Sequence, residues 1–178
     1  LVKVFWSFFA KKDCLPFPDV CFVFAGTRGY DVVTMNLITP PAATLTEADH
    51  ALVAAARAVI TRHYRPFWHM VAAALRSRDG RVWTGIHLGA TVGRMQICAE
   101  AIAVGRVILE GDGTIECAVA VRHPKEHEAL QEITVVPPCG ACREMLTDFD
   151  PGADVIVPGP AGLVRVPLTY LLPLPYQR

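Results

Sequence analysis

The stretch Ile97-Cys98-Ala99-Glu100, answered further along by Pro138-Cys139-Gly140-Ala141-Cys142-Arg143, organises this chain. It supplies three thiols and one carboxylate. A catalytic zinc site takes three protein ligands and leaves one position for water, and three cysteines meet that count. The spacing of Cys139 and Cys142 lets both close on one ion across a single helical turn. Cys98 falls near the start of one predicted helix, and Cys139 and Cys142 at the start of another. Unpaired N–H groups and partial positive charge at such ends favour thiolates. Glu100 stands two residues from Cys98, close to the metal without having to bind it. A carboxylate there can take a proton from an activated water and pass it on.

Three thiolates on a dication leave one net negative charge, which weakens the metal as a Lewis acid. Arg143 either offsets that charge by donating to a cysteine sulfur or is a surface residue at the end of the motif. The rival reading of the cluster is a structural zinc site closed by a fourth ligand, with His87 and His123 as the candidates.

Bulk composition narrows the partners. The 178 residues carry a formal net charge of zero. No basic field exists to hold a phosphate backbone, so nucleic acid is not an expected partner, and neither is an anionic membrane. Hydrophobic residues make up 52% and charged residues only 19%. That balance predicts apolar surface buried between subunits, hence a homo-oligomer. Cys14, Cys21, Cys98, Cys117, Cys139 and Cys142 do not have the spacing of a disulfide framework. With no convincing export signal, they read as metal ligands and core thiols of a cytoplasmic protein.

Residues 1–43 read differently from the rest, as an N-terminal extension. The apolar run Val4 to Ala10 is too short to span a bilayer and lacks a clean cleavage site. Two readings stand for residues 1–34: they precede a natural start at Met35, or they form a genuine extension. The domain expected to carry the chemistry is 44–178. Thr46 caps a helix that runs to Tyr64, with Asp49 completing a capping box. His50 and His63 on it read as solvated or packing residues. Trp68 to Arg76 and Arg81 to Leu88 read as a hairpin turned at Asp79-Gly80. The alanines at 72–74 predict a helix packed closely on that sheet. A buried helix is expected from Arg94 to Leu109, a strand from Ile115 to Val121, and a helix from Gly140 to Phe149. Strands around Val155–Val157 and Leu163–Val166 and a last helical turn complete a sheet flanked by helices.

The C-x-E and P-C-x-x-C pattern is that of the zinc deaminases. From about Leu45 onward the chain resembles the cytidine deaminase family of small homotetrameric type. The resemblance rests on Cys98-Ala99-Glu100, on Pro138 to Arg143, and on the hairpin Asp79-Gly80-Arg81-Val82-Trp83-Thr84-Gly85. It implies a three-layer α/β/α fold with a five-stranded mixed sheet. It also implies a zinc cofactor, hydrolytic loss of ammonia in pyrimidine salvage, and a tetramer whose subunits border one another's sites. Cys98, Cys139 and Cys142 become the ligands and Glu100 the proton carrier. Backbone near Ala99 and Cys139 contacts the pyrimidine.

The departures fall on the substrate side. Where the family holds the ribose with Asn and Glu, this chain has His87 and Gly89. His69 stands at the family's base-stacking aromatic, and Ala101 where Arg often follows the motif. His69 and His87 are therefore the candidates for the base and sugar regions. The expected substrate is cytidine, deoxycytidine or a related aminopyrimidine. The alternatives are a blasticidin S-like nucleoside, whose deaminase is a relative with a modified pocket, or a zinc-stabilised binding domain without activity.

Overall fold

Thr46 and Asp49 begin the first helix as a reciprocal pair. The Thr46 hydroxyl accepts the Asp49 N–H at 3.2 Å, and the Asp49 carboxylate accepts the Thr46 N–H at 3.0 Å. Two N–H groups that the helix cannot satisfy internally are thereby paired. Helix α1 (Glu47–His63) follows. The structure, a computed structural model, describes residues 43–176. The readings placed on residues 1–42 lie outside the described residues.

Strand β1 (Val71–Arg76) and strand β2 (Val82–Ile86) form the expected hairpin. Its turn uses Gly80 at φ +85°, the left-handed region that glycine enters without steric cost. β1 begins at Val71 and not at Trp68. Residues 65–69 instead make a tight turn in which Trp68 and His69 both donate N–H bonds to the Arg65 carbonyl, at 3.0 and 2.8 Å. Phe67 sits in that turn at φ +66° with its side chain 82% exposed, an uncommon conformation for a bulky residue. An apolar run that reads as strand is thus interrupted by backbone strain that its side chains do not announce.

The helix expected from Arg94 also starts later. Gly93–Met95 is a single 3-10 turn, and helix α2 is Ala99–Glu110 with Cys98 at its N-cap. Met95 and Ile97, which fit the apolar period of a buried helix, are exposed. Strand β3 (Cys117–Arg122), strand β4 (Thr134–Val136), helix α3 (Gly140–Phe149), strand β5 (Asp154–Gly159), strand β6 (Gly162–Pro167) and helix α4 (Leu168–Leu171) complete the chain. The strand order is β2-β1-β3-β5-β6, antiparallel except for β3 with β5. This is the expected five-stranded mixed sheet, with β4 added as a short sixth strand on β3.

Alternation along the strands builds the layers. Ala72, Ala74, Cys117, Val119, Val121 and Ile156 face Leu52, Val53, Ala56 and Ile60 of α1. Leu75, Ala118, Val155 and Val157 pack with Val104 and Val107 of α2 and Leu146 of α3. The small side chains let helices approach closely. A Cβ at Gly85 would collide with the Ala99 carbonyl and stand 2.6 Å from the Ala103 nitrogen. Glycine there brings the first turn of α2 directly onto β2. Ala99 in turn fills the space between Ala73 and Ala120.

The end of the sheet beneath the N-terminus of α1 is charged. Fully buried Asp49 accepts Arg76 Nη2 at 2.7 Å and Arg165 Nη1 at 3.3 Å. Arg76 also grips Glu116 through Nε at 2.7 Å and Nη2 at 3.1 Å, and Arg165 holds Asp154 at 2.7 Å. Four elements converge on one helix cap. Among the described residues, no helix is long and apolar enough to cross a membrane.

Candidate metal and proton-transfer site

Two helix N-termini converge to make the site. Cys98 is the N-cap of α2, Cys139 is the N-cap of α3, and Cys142 lies one turn into α3. Neither N-cap cysteine makes a side-chain cap bond to its helix. Their sulfurs turn toward one another instead: Cys98 Sγ is 3.9 Å from Cys139 Sγ, which is 3.5 Å from Cys142 Sγ. All three lie within 4.8 Å of one another, the spacing of ligands around one ion. Neither His87 nor His123 joins this group among the described residues. His123 stacks on Tyr64 at 3.6 Å, and its Nδ1 donates to the Pro124 carbonyl at 2.8 Å. A donor set of three thiols, with no fourth protein ligand among the described residues, fits zinc with a position left open.

The thiols do not share one electrostatic fate. Burial pushes Cys98 upward, and burial together with the Glu100 charge pushes Cys142 far up. Cys139 alone shifts down: burial opposes it, but the Cys142 N–H and the other two thiols donate to its sulfur and prevail. Cys117 is the inert core thiol expected, held up to about 12 by burial.

Glu100 occupies the first turn of α2, with only 5% of its surface exposed. Its charge is felt at Cys98, Cys139, Cys142 and His87. Ala99 is fully buried, so only its backbone is offered to a ligand. His87 donates its backbone N–H to the Val71 carbonyl at 2.8 Å, while its ring Nδ1 is buried without a hydrogen-bond partner. Burial lowers the His87 pKa, the neighbouring His69 lowers it further, and Gln96 and Glu100 pull it partly back. His69 Nδ1 lies 2.8 Å from the His87 carbonyl. A carbonyl only accepts, so His69 carries its proton on Nδ1. The two histidines are thus brought together, and the Glu100 charge is felt at His87.

Gly89 closes the same corner. Its N–H donates to the Trp68 carbonyl at 2.7 Å. A Cβ there would run into the Phe67 carbonyl oxygen and stand 2.8 Å from Trp68 Cα. Only glycine fits between the 87–90 segment and the 65–69 turn. Phe67 also borders a cavity of about 280 Å³ lined by Tyr64, Pro66, Met70 and Lys125–His127.

Arg143 does neither thing expected of it. Its Nε donates to the Pro138 carbonyl at 2.9 Å and its Nη1 to the Leu171 carbonyl at 3.2 Å. It is half-buried and braces backbone instead of a sulfur. The motif spacing carries no sign of this, because Leu171 is remote in sequence.

The sequence model for the cytidine and deoxycytidylate deaminase zinc-binding region matches residues 46–157, which include all three cysteines and Glu100. The chain belongs to this family. It is a zinc-dependent deaminase, a hydrolase of the cytidine deaminase type. Over 134 residues it is 38% identical to blasticidin-S deaminase of Bacillus cereus, covering 75% of this chain and 96% of that protein. Cytidine deaminase from Burkholderia pseudomallei shares the fold with a TM-score of 0.58 and 26% identity, covering 74% of this chain and 100% of that one. Cytidine deaminase from Bacillus anthracis has a TM-score of 0.61 at 22% identity over 71% of this chain and 88% of that one, a likeness of fold alone. The deaminase thus carries the family's metal cluster on the family's scaffold.

Proposed function

We propose that this deaminase acts on a cytosine nucleoside whose sugar differs from plain ribose, with blasticidin S as the first substrate and cytidine or deoxycytidine as poorer ones. The observation that carries the proposal is Gly89: the backbone leaves no room for the carboxylate that would hold a ribose hydroxyl. A hydrogen bond to a charged group is worth about 2 kcal/mol, or roughly thirty-fold in kcat/KM, so its loss demotes ribose nucleosides. The 38% identity to a protein named blasticidin-S deaminase points the same way.

In this reading Cys98, Cys139 and Cys142 hold zinc. Bound zinc supplies the Lewis acidity that makes water a nucleophile near neutral pH. Glu100 takes one proton from the attacking water and gives it to the ring nitrogen beside the amine-bearing carbon, then carries the second proton, from the hydroxyl so formed on that carbon, to the amine as it leaves. Substrate and water become a uracil nucleoside and ammonia. The Ala99 and Cys139 backbones orient the pyrimidine edge. Neutral His87 offers one hydrogen bond to the sugar region, and His69, fixed by its bond to the His87 carbonyl, packs against the base. The exposed apolar side chains Val92 (62%) and Met95 (65%), close in sequence to Cys98, support a homo-oligomer in which a second copy borders the site, a tetramer by family likeness.

Ammonia release from blasticidin S, cytidine, deoxycytidine and cytosine tests the proposal. Blasticidin S should give the highest kcat/KM, and Glu100→Gln should lower kcat by about 10²–10⁴ with zinc retained. A cytidine kcat/KM equal to or above that of blasticidin S would overturn the substrate ranking. No ammonia from any of them would leave the zinc-stabilised binding domain as the better reading.

A further inference from the structure

We infer that Arg143 is a positioning residue for the metal site, acting on Cys139 through the backbone and making the C-terminal turn part of that site's support. The inference rests on the zinc reading above. Of the three thiols, Cys142 is buried and Cys98 is half-buried, whereas Cys139 is exposed. Packing therefore fixes Cys142 and leaves Cys139 to be held by its backbone. The Pro138 carbonyl belongs to the peptide that joins Pro138 to Cys139. Holding that oxygen sets the peptide plane, and with it the direction of the Cys139 side chain. Arg143 Nε holds it at 2.9 Å.

The other arm of the same fork explains why the brace is stiff. Nη1 donates at 3.2 Å to the carbonyl of Leu171, the last residue of α4. Carbonyls at a helix C-terminus lack intrahelical partners, so this bond satisfies one that the helix cannot. Leu168 at the start of α4 is fully buried, and the Glu144 carboxylate accepts the Tyr176 N–H at 3.2 Å. The turn is thus anchored on both sides of Leu171. A planar guanidinium presents donors in a rigid fork and can hold two carbonyls on different elements; an ammonium is a point charge on a flexible stem.

The test is zinc affinity, read by competition with a chromogenic chelator, alongside the visible spectrum of the cobalt-substituted protein and thermal unfolding. Groups that orient metal ligands typically cost 10–100-fold in affinity when removed. Arg143→Ala should weaken zinc by that factor and alter the thiolate–cobalt bands. Arg143→Lys, which carries the test if the alanine variant does not fold, should recover affinity only in part. Three results would overturn the inference. One is zinc affinity within twofold of wild type in Arg143→Ala despite a lower Tm, which marks a merely structural arginine. The second is full rescue by lysine, which marks a charge effect. The third is a wild type that binds no zinc, which would overturn the zinc reading as well.

Discussion

Asp49→Asn should destabilise this deaminase sharply, although residue 49 is not one of the groups assigned to the chemistry. The Asp49 carboxylate is fully buried, caps α1, and accepts Arg76 at 2.7 Å and Arg165 at 3.3 Å. Asparagine can keep the cap through its amide oxygen but loses the charge. Removing one partner of a buried ion pair costs about 3–5 kcal/mol; two remaining bonds from Arg76 to Glu116 put this case near 3. At roughly 4 °C per kcal/mol for a domain of this size, Tm should fall by about 12 °C. Asp49→Ala also removes the cap and should cost about 1 kcal/mol more. The pH dependence has a definite sign. Burial pushes the Asp49 pKa up, but the Thr46 N–H, Arg76 and the Thr46 hydroxyl outweigh it, so the folded value lies below the ordinary 3.8. A depressed carboxylate contributes stability that is fully present above the unfolded pKa and is lost as pH falls through the folded one. The Tm gap between wild type and Asp49→Asn should therefore be constant from pH 7 to about pH 5 and narrow below about pH 4. Thermal unfolding followed by circular dichroism across that range reads both. A gap under about 4 °C at pH 7, or one that widens in acid, would refute the reasoning.

Gly85→Ala should cost about 3 kcal/mol and weaken zinc binding, because the new methyl meets helix backbone and lifts Cys98 and Glu100 from β2; unchanged Tm and metal content would count against that close approach. Chelation should lower Tm and abolish activity together, and added zinc should restore both; a melting curve indifferent to chelator would contradict a metal that ties α2 to α3. The His87 ring should titrate below its ordinary 6.5, because burial, then His69, disfavours its charge. Its stabilising contribution is then present above pH 6.5 and lost as pH falls through the lowered value. A titration midpoint at or above 6.5, followed by NMR of the ring protons, would exclude the neutral hydrogen-bonding role.

Much of the scaffold was legible because local chemistry announces it. Thr46 with Asp49, the Asp79-Gly80 turn, and the helix opening after Cys139 all stand where their residue types require. The cysteine cluster was legible for a related reason: ligand spacing is set by helix geometry and survives translation into sequence. Boundaries failed where an apolar period meant something other than a buried face. Met95 and Ile97 keep the rhythm of α2 yet precede it and are exposed. Trp68 extends the apolar run of β1, but the left-handed Phe67 ends it. The short strand β4 lies beside β3 through pairing that no local signal requires. Arg143 and Arg76 were beyond reach for another reason: their partners come from remote elements. Thiol acidity also depends on which neighbours donate to which sulfur, which is why Cys139 alone of the three shifts down.

The convergence of Cys98, Cys139 and Cys142 has a consequence for the metal-free chain in air. Sulfurs at 3.5 and 3.9 Å need only a small movement to reach the roughly 2 Å of a sulfur–sulfur bond. The exposed Cys139 is also the one inclined to the thiolate, the form that oxidises first. Loss of zinc under oxygen would then be a trap, since a bridge to either neighbour removes two of three ligands until a reductant reopens it. Metal, in such a molecule, is also the protecting group of its own binding site.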